Sequence, residues 1–321
     1  MFRKTRRAIV ASAVALGLAA GIGGAQAQEY PEKPITMVIP LGAGGSHDLN
    51  ARVMTSVISS YLGQPVVVQL MPGAGGQTGT AAAAQAAADG YTLLFTHNFI
   101  DELQQHVTNV PYDPNSDFVA VARTNTGPGS VVVRADAPWQ TIEEFLEYGK
   151  QNPGQIKFGH SGNWGAAMVP GAALLSAAGI QATLVPYQGG GPAMQGVLSG
   201  DVDFTVAFPS VVTAQGDQVR ALVTIGDSRI FEDVPTTAEA GFPDVTEIGL
   251  MHRVVLAPAG TPEDRLAKLR DAFAQLKEDE TYKTLLTKID ENNEFMDGAE
   301  YDEVRKRQSE AYKKLVESLA Q

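Results

Sequence analysis

The sequence predicts an α/β protein whose sheets are mostly parallel and flanked by helices. Short runs rich in Val, Ile and Leu alternate with longer segments in which apolar residues recur every three or four positions. Strand-like and helix-like segments that alternate in this way typically build parallel sheets. Glycine, proline and other turn residues separate the segments, and no repeat of fixed period interrupts the pattern.

The predicted elements follow one another along most of the chain. Two helix starts carry clear signals, because Thr141 precedes Glu144 by three residues and Thr261-Pro262 stands just before two acids. The predicted strands are 35–39, 66–69, 92–96, 130–134, 157–159, 183–186, 204–207, 219–225 and 254–257. The predicted helices are 48–61, 79–88, 141–152, 164–178, 192–199, 262–279, 280–289 and 298–319.

The N-terminal segment 1–27 has the pattern of a secretory signal peptide. Basic residues within 3–7 precede a small-residue apolar run over 8–24, which ends at an A-x-A site, Ala25-Gln26-Ala27. An uncleaved N-terminal anchor is the alternative, but the run is short and rich in Ala and Gly for a membrane span. We therefore predict export to the periplasm, with cleavage after Ala27.

Composition restricts the functions open to the predicted mature chain. Removal of 27 of the 321 residues leaves 294 and no cysteine, so burial alone must stabilise what is usually a two-domain length. The removal takes four of the 24 basic residues and no acid, so 20 basic against 36 acidic residues give a net charge of −16. This charge argues against a nucleic-acid partner. It also means that an anionic ligand must be held by local donors.

A glycine-rich loop after the first predicted strand is the most informative local feature. The strand ends at Pro40, and a helix-like segment follows the loop at once. Glycines allow the backbone to approach a ligand closely, and the first N–H groups of a helix have no intrahelical partner. The loop is therefore a candidate cradle for an anionic or polar ligand, and it consists of Leu41, Gly42, Ala43, Gly44, Gly45, Ser46, His47 and Asp48.

Further loops follow other predicted strands, at the strand ends where open α/β sheets bind ligands. They contain Gly, Ser, Asn, Gln, His and aromatic residues, and neither Lys nor Arg. Such groups supply hydrogen-bond donors and a stacking face but no catalytic base pair or metal cage, so we expect a recognition site without metal or cofactor. The candidate contacts are His97, Asn98, His160, Ser161, Gly162, Trp164, Tyr187, Gly189, Gly190, Phe208, Pro209 and Ser210.

Structural roles remain open for several of these residues. The glycines of the first loop could form a plain tight turn, and Asp48 could cap the helix as well as contact a ligand. His47 and His160 could lie at the surface. The second glycine-rich loop, 72–76, is interpreted as mainly structural, because it turns a strand into an alanine-rich helix.

Short motifs along the chain resemble one family of transport receptors. The first loop reads P-x-x-A-G-G-x-x-D, followed by G-Q-P-V-V-V at 63–68, P-G-A-G-G at 72–76 and D-G-Y-T-L-L at 89–94. The pattern continues with P-Y-D-P at 111–114, V-P-Y at 185–187, G-D-V-D at 200–203, V-P-T at 234–236 and L-A-P-A-G-T-P at 256–262. In this order the motifs resemble the substrate-binding receptors of tripartite tricarboxylate transporters, the Bug family, over nearly the whole predicted mature chain.

The resemblance implies a two-lobed periplasmic binding protein of type II, the Venus-flytrap architecture, in which each lobe is a mostly parallel sheet flanked by helices. The first lobe would comprise 28–126 and 254–321, and the second 127–253, with the return crossing between 225 and 257. Such a receptor is expected to act as a monomer without a cofactor and to deliver its ligand to integral-membrane subunits.

The resemblance also implies where a ligand, usually a carboxylate, would lie. By position, backbone groups of 41–48 would hold one carboxylate, often through ordered waters. Residues of the second lobe would cover the far end, namely Ser161, Gly162, Tyr187, 189–191 and 208–210.

Departures from the family pattern concern the ligand more than the fold. The usual third glycine and small hydroxyl residue of the first loop are Ser46 and His47, and the basic residue that commonly follows the tyrosine is Gln188. Two usually aromatic positions of the returning strand are His252 and Arg253. We therefore hypothesise that Arg253 turns toward the cleft and supplies the one formal positive charge there.

Other function classes fit the residues less well. The segment 159–163 nearly matches the G-x-S-x-G of serine hydrolases, but Asn163 replaces the last glycine, so a secreted hydrolase using Ser161 is only the alternative. The first loop lacks both the final glycine of G-x-G-x-x-G and the lysine of a P-loop, which argues against nucleotide binding. The five scattered histidines lack the spacing of a zinc site. We predict a binding protein and not an enzyme.

Overall fold

Two β-sheets, each packed with helices, organise the chain from Lys33 onward. This computed structural model describes residues 30–226, 228–248 and 250–319, so the predicted signal peptide and its cleavage site lie outside the described residues. The predicted α/β class is confirmed, and we call each sheet with its helices a lobe. No helix within these ranges is both long enough and apolar enough to cross a membrane.

The described residues form the following elements. The strands are β1 (Ile35–Ile39), β2 (Val66–Leu70), β3 (Thr92–His97), β4 (Phe118–Gly127), β5 (Ser130–Arg134), β6 (Ile156–His160), β7 (Ala182–Pro186), β8 (Phe204–Ala207), β9 (Val219–Thr224), β10 (Met251–Pro258) and β11 (Met296–Asp297). The α-helices are α1 (Ser46–Leu62), α2 (Gln77–Ala84), α3 (Gln104–Val107), α4 (Ile142–Gln151), α5 (Met168–Ala177), α6 (Gly190–Ser199), α7 (Pro209–Gln215), α8 (Pro243–Ile248), α9 (Glu263–Leu276), α10 (Glu280–Thr287) and α11 (Gly298–Leu319).

Both sheets are mixed. The first has the strand order β11-β4-β10-β3-β1-β2, and the second has the order β7-β6-β8-β5-β9. β1 is parallel to β2 and β3, and β6 is parallel to β7 and β8. The other pairings between the strands named above are antiparallel, and each of them includes β4, β5 or β10. The sequence predicted mostly parallel sheets. In each sheet only three strands pair in parallel, so this prediction is correct in part.

The main antiparallel strands are those that carry the chain between the sheets. β4 leaves the first sheet and β5 enters the second after Pro128 and Gly129, whereas β9 leaves the second sheet and β10 returns to the first. A strand that enters a sheet from the side where its neighbours end must run opposite to them. β10 lies between β3 and β4, so the two parts of the first lobe interleave at this strand.

Each lobe has its own buried core. In the first lobe Leu94 and Leu256 pack with Tyr301 of α11. In the second lobe the rings of Phe158 and Phe204 stack with their centroids 4.5 Å apart. Burial of a large apolar side chain contributes roughly 1.5–3 kcal/mol. These cores hold the sheets, and they leave the loops at the strand ends to form a site.

The sequence did not predict several elements. The longest of them is β4, which was missed because it contains polar residues. β4 contains Thr126, whose hydroxyl donates to Glu294 (2.6 Å), and Asn125, whose amide donates to Asn50 (3.0 Å). These polar residues can be buried because residues distant in sequence accept their hydrogen bonds. The sequence alone does not reveal such partners. The short helices α3, α7 and α8 and a π-helical turn at Phe99–Leu103 were also not predicted.

One of the two predicted helix caps is present. The hydroxyl of Thr141 accepts from the amide of Glu144 (3.3 Å) at the start of α4, as predicted. Thr261 does not cap α9, because its hydroxyl donates to the carbonyl oxygen of Pro258 (2.7 Å) and the helix begins at Glu263. The hydroxyl of Thr261, which was predicted to cap α9, therefore stabilises the turn before that helix.

Candidate functional site

Loops from both lobes surround one small buried cavity. In the first lobe they follow β1 and β3, and in the second they follow β6, β7 and β8. The cavity measures about 20 Å³, which is room for one water molecule. Its lining consists of Leu41, Gly45, Ser46, His47, His97, Ser161, Ala166, Ala167, Gly190, Val206, Ala207, Phe208, Val211 and Met251.

The first glycine-rich loop is held by a contact within itself. The amide of Gly44, which has a φ of +71°, donates to a carboxylate oxygen of Asp48 (2.9 Å). The other oxygen of Asp48 lies 2.9 Å from Nε of Arg52, one turn further along α1. Asp48 therefore closes the loop from within the first turn of α1, and it is not the helix cap that the sequence left open, because the N-cap residue is Gly45.

Two helix N-termini meet beside the cavity, one from each lobe. In α1 the amides of 46–48 precede the first intrahelical bond, and in α6 the amides of Gly190 and Gly191 do so. A methyl group on Gly45 would lie 3.3 Å from the nitrogen of Gly191 and 3.6 Å from that of Gly190. Because helix N-termini carry partial positive charge, this arrangement suits an anion without a side-chain cation.

The loops of the two lobes touch through glycines. The amide of Gly42 donates to the carbonyl oxygen of Gln188 (2.8 Å). A methyl group on Gly191 would overlap the carbonyl oxygen of Ala43, and one on Gly189 would lie 2.7 Å from the nitrogen of Gly42. Side chains at these glycines would hold the lobes apart. We call this region, 42–45 against 188–191, the glycine contact.

Two buried histidines line the cavity from the first lobe. The rings of His47 and His97 are 5.1 Å apart between centroids; Nε2 of His47 donates to the carbonyl oxygen of Thr96 (3.1 Å), and Nδ1 of His97 accepts from the amide of Ile100 (3.4 Å). Burial lowers the pKa of His97 to about 3 and the pKa of His47 well below its ordinary value, and the charge of Arg253 adds to both effects. Both rings are therefore neutral near pH 7, with an acceptor left on His47 and a donor left on His97.

Arg253 is fully buried and paired. Its two terminal nitrogens bind the carboxylate of Glu291 at 2.7 and 3.0 Å. Glu291 also accepts from the hydroxyl of Ser210 (2.5 Å), at the start of α7 in the second lobe. The charge of Arg253 is thus matched by that of Glu291. Arg253 does not line the cavity, whereas our hypothesis placed its charge there, free to meet a ligand. We call the group of Arg253, Glu291 and Ser210 the carboxylate contact.

A larger groove of about 430 Å³ opens where the lobes meet. It contains three predicted contacts, Gly162, Trp164 and Tyr187. Trp164 has a φ of +57°, a backbone conformation that few non-glycine residues adopt. A methyl group on Gly162 would lie 2.8 Å from Cα of Gly75. The loop 72–76, interpreted above as mainly structural, therefore also touches the second lobe.

The remaining predicted residues lie outside the cavity lining. Asn98 accepts from the amide of His252 (3.0 Å) and donates to the hydroxyl of Tyr312 (2.9 Å). Nδ1 of His160 donates to the carbonyl oxygen of Gly162 (3.0 Å), and Pro209 begins α7. These residues hold the loops that surround the cavity.

The cavity residues that the sequence did not indicate are apolar. They stand at the start of α5, at the end of β8, in α7 and at the start of β10, and they are Ala166, Ala167, Val206, Ala207, Val211 and Met251. Apolar residues at such positions look like core residues. Only their nearness in sequence to the predicted loops could have indicated them.

Ser161 makes no hydrogen bond to a histidine in the part of the chain that the structure describes. Nδ1 of His160 bonds to Gly162, and Nε2 of the cavity histidine His47 bonds to Thr96. A serine nucleophile needs a base within hydrogen-bonding reach. The described residues also contain no cluster of His, Cys, Asp or Glu able to hold a metal ion.

Comparisons with known proteins agree on one family. Residues 50–320 match the model of the tripartite tricarboxylate transporter family receptor. Protein BugT of Bordetella pertussis is 33% identical over 251 residues, which cover 76% of each chain. Among solved structures, the periplasmic binding protein BugD superposes with a TM-score of 0.84 and 28% identity, over 90% of this chain and 98% of that one. MatC of Rhodopseudomonas palustris, solved with bound malate, gives a TM-score of 0.82 and 26% identity, over 89% and 100%.

Proposed function

Because the chain belongs to the receptor family of tripartite tricarboxylate transporters, we propose that it binds a small organic acid between its lobes outside the cytoplasm. The closed complex, a monomer, delivers the acid to the integral-membrane subunits of a tripartite transporter. The malate bound to MatC, a structural neighbour, supports a carboxylate ligand.

The observation that carries this proposal is the meeting of two helix N-termini at a cavity without a free side-chain cation. Among the lining residues, Ser46, His47 and Gly190 have amides that precede the first intrahelical bond of their helices. A hydrogen bond from such an amide to a charged group contributes roughly 1.5–3 kcal/mol. A few such hydrogen bonds can stabilise a carboxylate without a side-chain cation. Fewer of them form when the two lobes are apart, because each lobe supplies one of the helix N-termini.

Ligand uptake requires the lobes to separate. A cavity of about 20 Å³ holds a water molecule and no acid of several carbon atoms. Hinge rotation about the two crossing segments, near 128–129 and between β9 and β10, would widen it. On this proposal the lobes comprise 28–126 with 254–321, and 127–253. The start of β10 at Met251 favours a return crossing that ends a few residues earlier.

A panel of small carboxylic acids tests the proposal. A ligand at 100 times its dissociation constant should stabilise the protein by about 2.7 kcal/mol, which raises the melting temperature by several degrees. The same ligand should contract the molecule in small-angle X-ray scattering. If no acid in the panel changes either the melting temperature or the scattering, the proposal fails.

Tryptophan fluorescence provides a matched control for closure. Trp164 lies in the groove between the lobes, whereas Trp139 is buried in the core of the second lobe. We expect Trp164→Phe to abolish the ligand-induced signal and Trp139→Phe to retain it. The reverse result would place the fluorescence change away from the lobe interface.

Export and cleavage after Ala27 belong to the same proposal. The relationship to periplasmic binding proteins supports them. Mass spectrometry of the protein from a periplasmic fraction should find a chain that begins at Gln28. A chain that retains residues 1–27 would contradict the predicted processing.

A further inference from the structure

We infer that the preferred ligand is a short monocarboxylate with an apolar tail, and that acids with a second carboxylate bind much more weakly. This inference rests on the proposed function, because it concerns the ligand of the same cavity. It follows from the unequal distribution of polar and apolar groups around that cavity.

The polar groups suited to an anion are gathered at one place. Ser46 begins α1 and Gly190 begins α6, and both line the cavity. A methyl group on Gly45, which stands between them, would lie 3.6 Å from the nitrogen of Gly190. The two helix N-termini are thus so close together that they serve one carboxylate and not two.

Another part of the lining has no polar side chain. It consists of Ala166, Ala167, Val206, Ala207, Phe208, Val211 and Met251, all of them buried. We call this surface the apolar wall. A carboxylate placed against it would lose its hydration and gain no partner, whereas a methyl or methylene group would be favoured there.

No cation of the cavity compensates a second negative charge. Within the described residues the lining contains neither Lys nor Arg. Arg253 is occupied by Glu291, with bonds of 2.7 and 3.0 Å. The two lining histidines are neutral, because burial lowers the pKa of His47 well below its ordinary value and that of His97 to about 3. A dicarboxylate would therefore bring one more charge than the site can match.

The dimensions of the cavity indicate a short tail. The closed lobes leave about 20 Å³, so every additional carbon atom requires further separation of the lobes. Further separation would weaken the glycine contact, in which Gly42 and Gln188 are joined by a 2.8 Å hydrogen bond. The smallest acids that still cover the apolar wall are therefore preferred.

Matched pairs of acids test the inference on the unmodified protein. Butyrate and succinate differ only in a terminal methyl or carboxylate group, and so do 2-hydroxybutyrate and malate. By calorimetry at pH 7.5 and constant ionic strength, we expect the monocarboxylate of each pair to bind at least tenfold more tightly. Equal or tighter binding of succinate and malate would overturn the inference and leave the proposed function intact. Failure of all acids to bind would overturn both.

A substitution in the apolar wall tests where the tail lies. Val211→Lys adds an ammonium group to the wall and should move the preference toward succinate and malate by at least tenfold. Ala214→Lys, at an exposed position of the same helix outside the cavity lining, is the control and should retain the preference for monocarboxylates. If Val211→Lys folds and the preference is unchanged, the wall does not contact the tail and the inference is wrong.

A milder variant covers the case in which a buried lysine prevents folding. Val211→Thr keeps the shape of valine and adds one hydroxyl group. It should reduce the preference for butyrate over succinate severalfold. An unchanged ratio for Val211→Thr would contradict the inference in the same way.

Discussion

Two of the contacts between the lobes have opposite character. The glycine contact is made of backbone groups, carries no formal charge and lies beside the cavity. The carboxylate contact buries an ion pair between Arg253 and Glu291 and adds the hydroxyl of Ser210. A buried charge is destabilising once its partner is lost, whereas a close backbone approach is blocked by any added side chain. One contact is therefore sensitive to the removal of atoms and the other to their addition.

The largest effect is expected from Glu291→Gln in the carboxylate contact. The substitution leaves the fully buried Arg253 without its counter-charge, which should reduce the free energy of unfolding by about 3–5 kcal/mol. Equilibrium unfolding in urea measures this loss. Glu278→Gln is the control, because Glu278 is exposed and its contact with Lys283 is 3.4 Å long. A loss for Glu291→Gln no larger than that of the control would mean that the ion pair does not stabilise the folded protein.

A smaller and different effect is expected from Gly191→Ala in the glycine contact. The added methyl group would overlap the carbonyl oxygen of Ala43, so the closed form is disfavoured while each lobe remains folded. Ligand affinity should fall at least tenfold, about 1.4 kcal/mol, with little change in unfolding free energy. Gly190→Ala is the matched control, because a methyl group there meets nothing within 4 Å. Equal affinities of the two variants would contradict the steric role of Gly191.

The pH dependence of stability provides a third test. The glycine contact has no titratable group, whereas the histidines beside it titrate. The pKa of His97 is about 3 in the folded state against about 6.5 in the unfolded chain, so only the unfolded chain binds this proton between those values. His97 thus contributes stability that is complete above pH 6.5 and is lost as the pH falls toward 3, by about 1.4 kcal/mol per pH unit.

Urea unfolding at pH 7.5, 6.0 and 5.0 measures this contribution. The stability of His97→Gln should fall less steeply with pH than that of the unmodified protein. His106→Gln, at a half-buried position of α3, should follow the unmodified protein more closely. Parallel curves for the unmodified protein and His97→Gln would show that His97 titrates normally in the folded state.

The last test, Ser161→Ala, concerns a single hydrogen bond to the ligand. If the hydroxyl donates one hydrogen bond to a bound carboxylate, its removal should cost roughly 1.5–3 kcal/mol of binding at most. Ser176→Ala, at an exposed position of α5, is the control and should bind as the unmodified protein does. An esterase activity that disappears in Ser161→Ala would instead support the hydrolase alternative.

Local patterns were sufficient to predict much of the fold and one side of the site. The bounds of β1, β5, β8 and α11 agree with the predicted segments, because strong apolar periodicity and turn residues mark them. The first glycine-rich loop was predicted as a ligand cradle, and in the structure it supplies Leu41, Gly45, Ser46 and His47 to the cavity lining. Its role in ligand binding stays a prediction.

Features that depend on pairing between distant segments could not be predicted. The partner of Arg253 is Glu291, which is 38 residues away and belongs to no predicted motif. The direction of β10 follows from its return from the second lobe, and no local signal encodes it. The apolar wall was missed for a similar reason, since a buried valine at a cavity has the same sequence pattern as one in a core.

The position of β10 has a consequence for the order of folding. The strands of the second lobe lie within one continuous segment, 130–224, but the first lobe needs a strand that comes more than a hundred residues after β4 and inserts between β3 and β4. Contacts of such long sequence separation form slowly, because the entropy of closing a large loop opposes them. Until β10 arrives, β3 and β4 have unpaired edges that invite aggregation. We therefore expect the second lobe to reach its native state first, and the first lobe to be the part that needs protection while it folds.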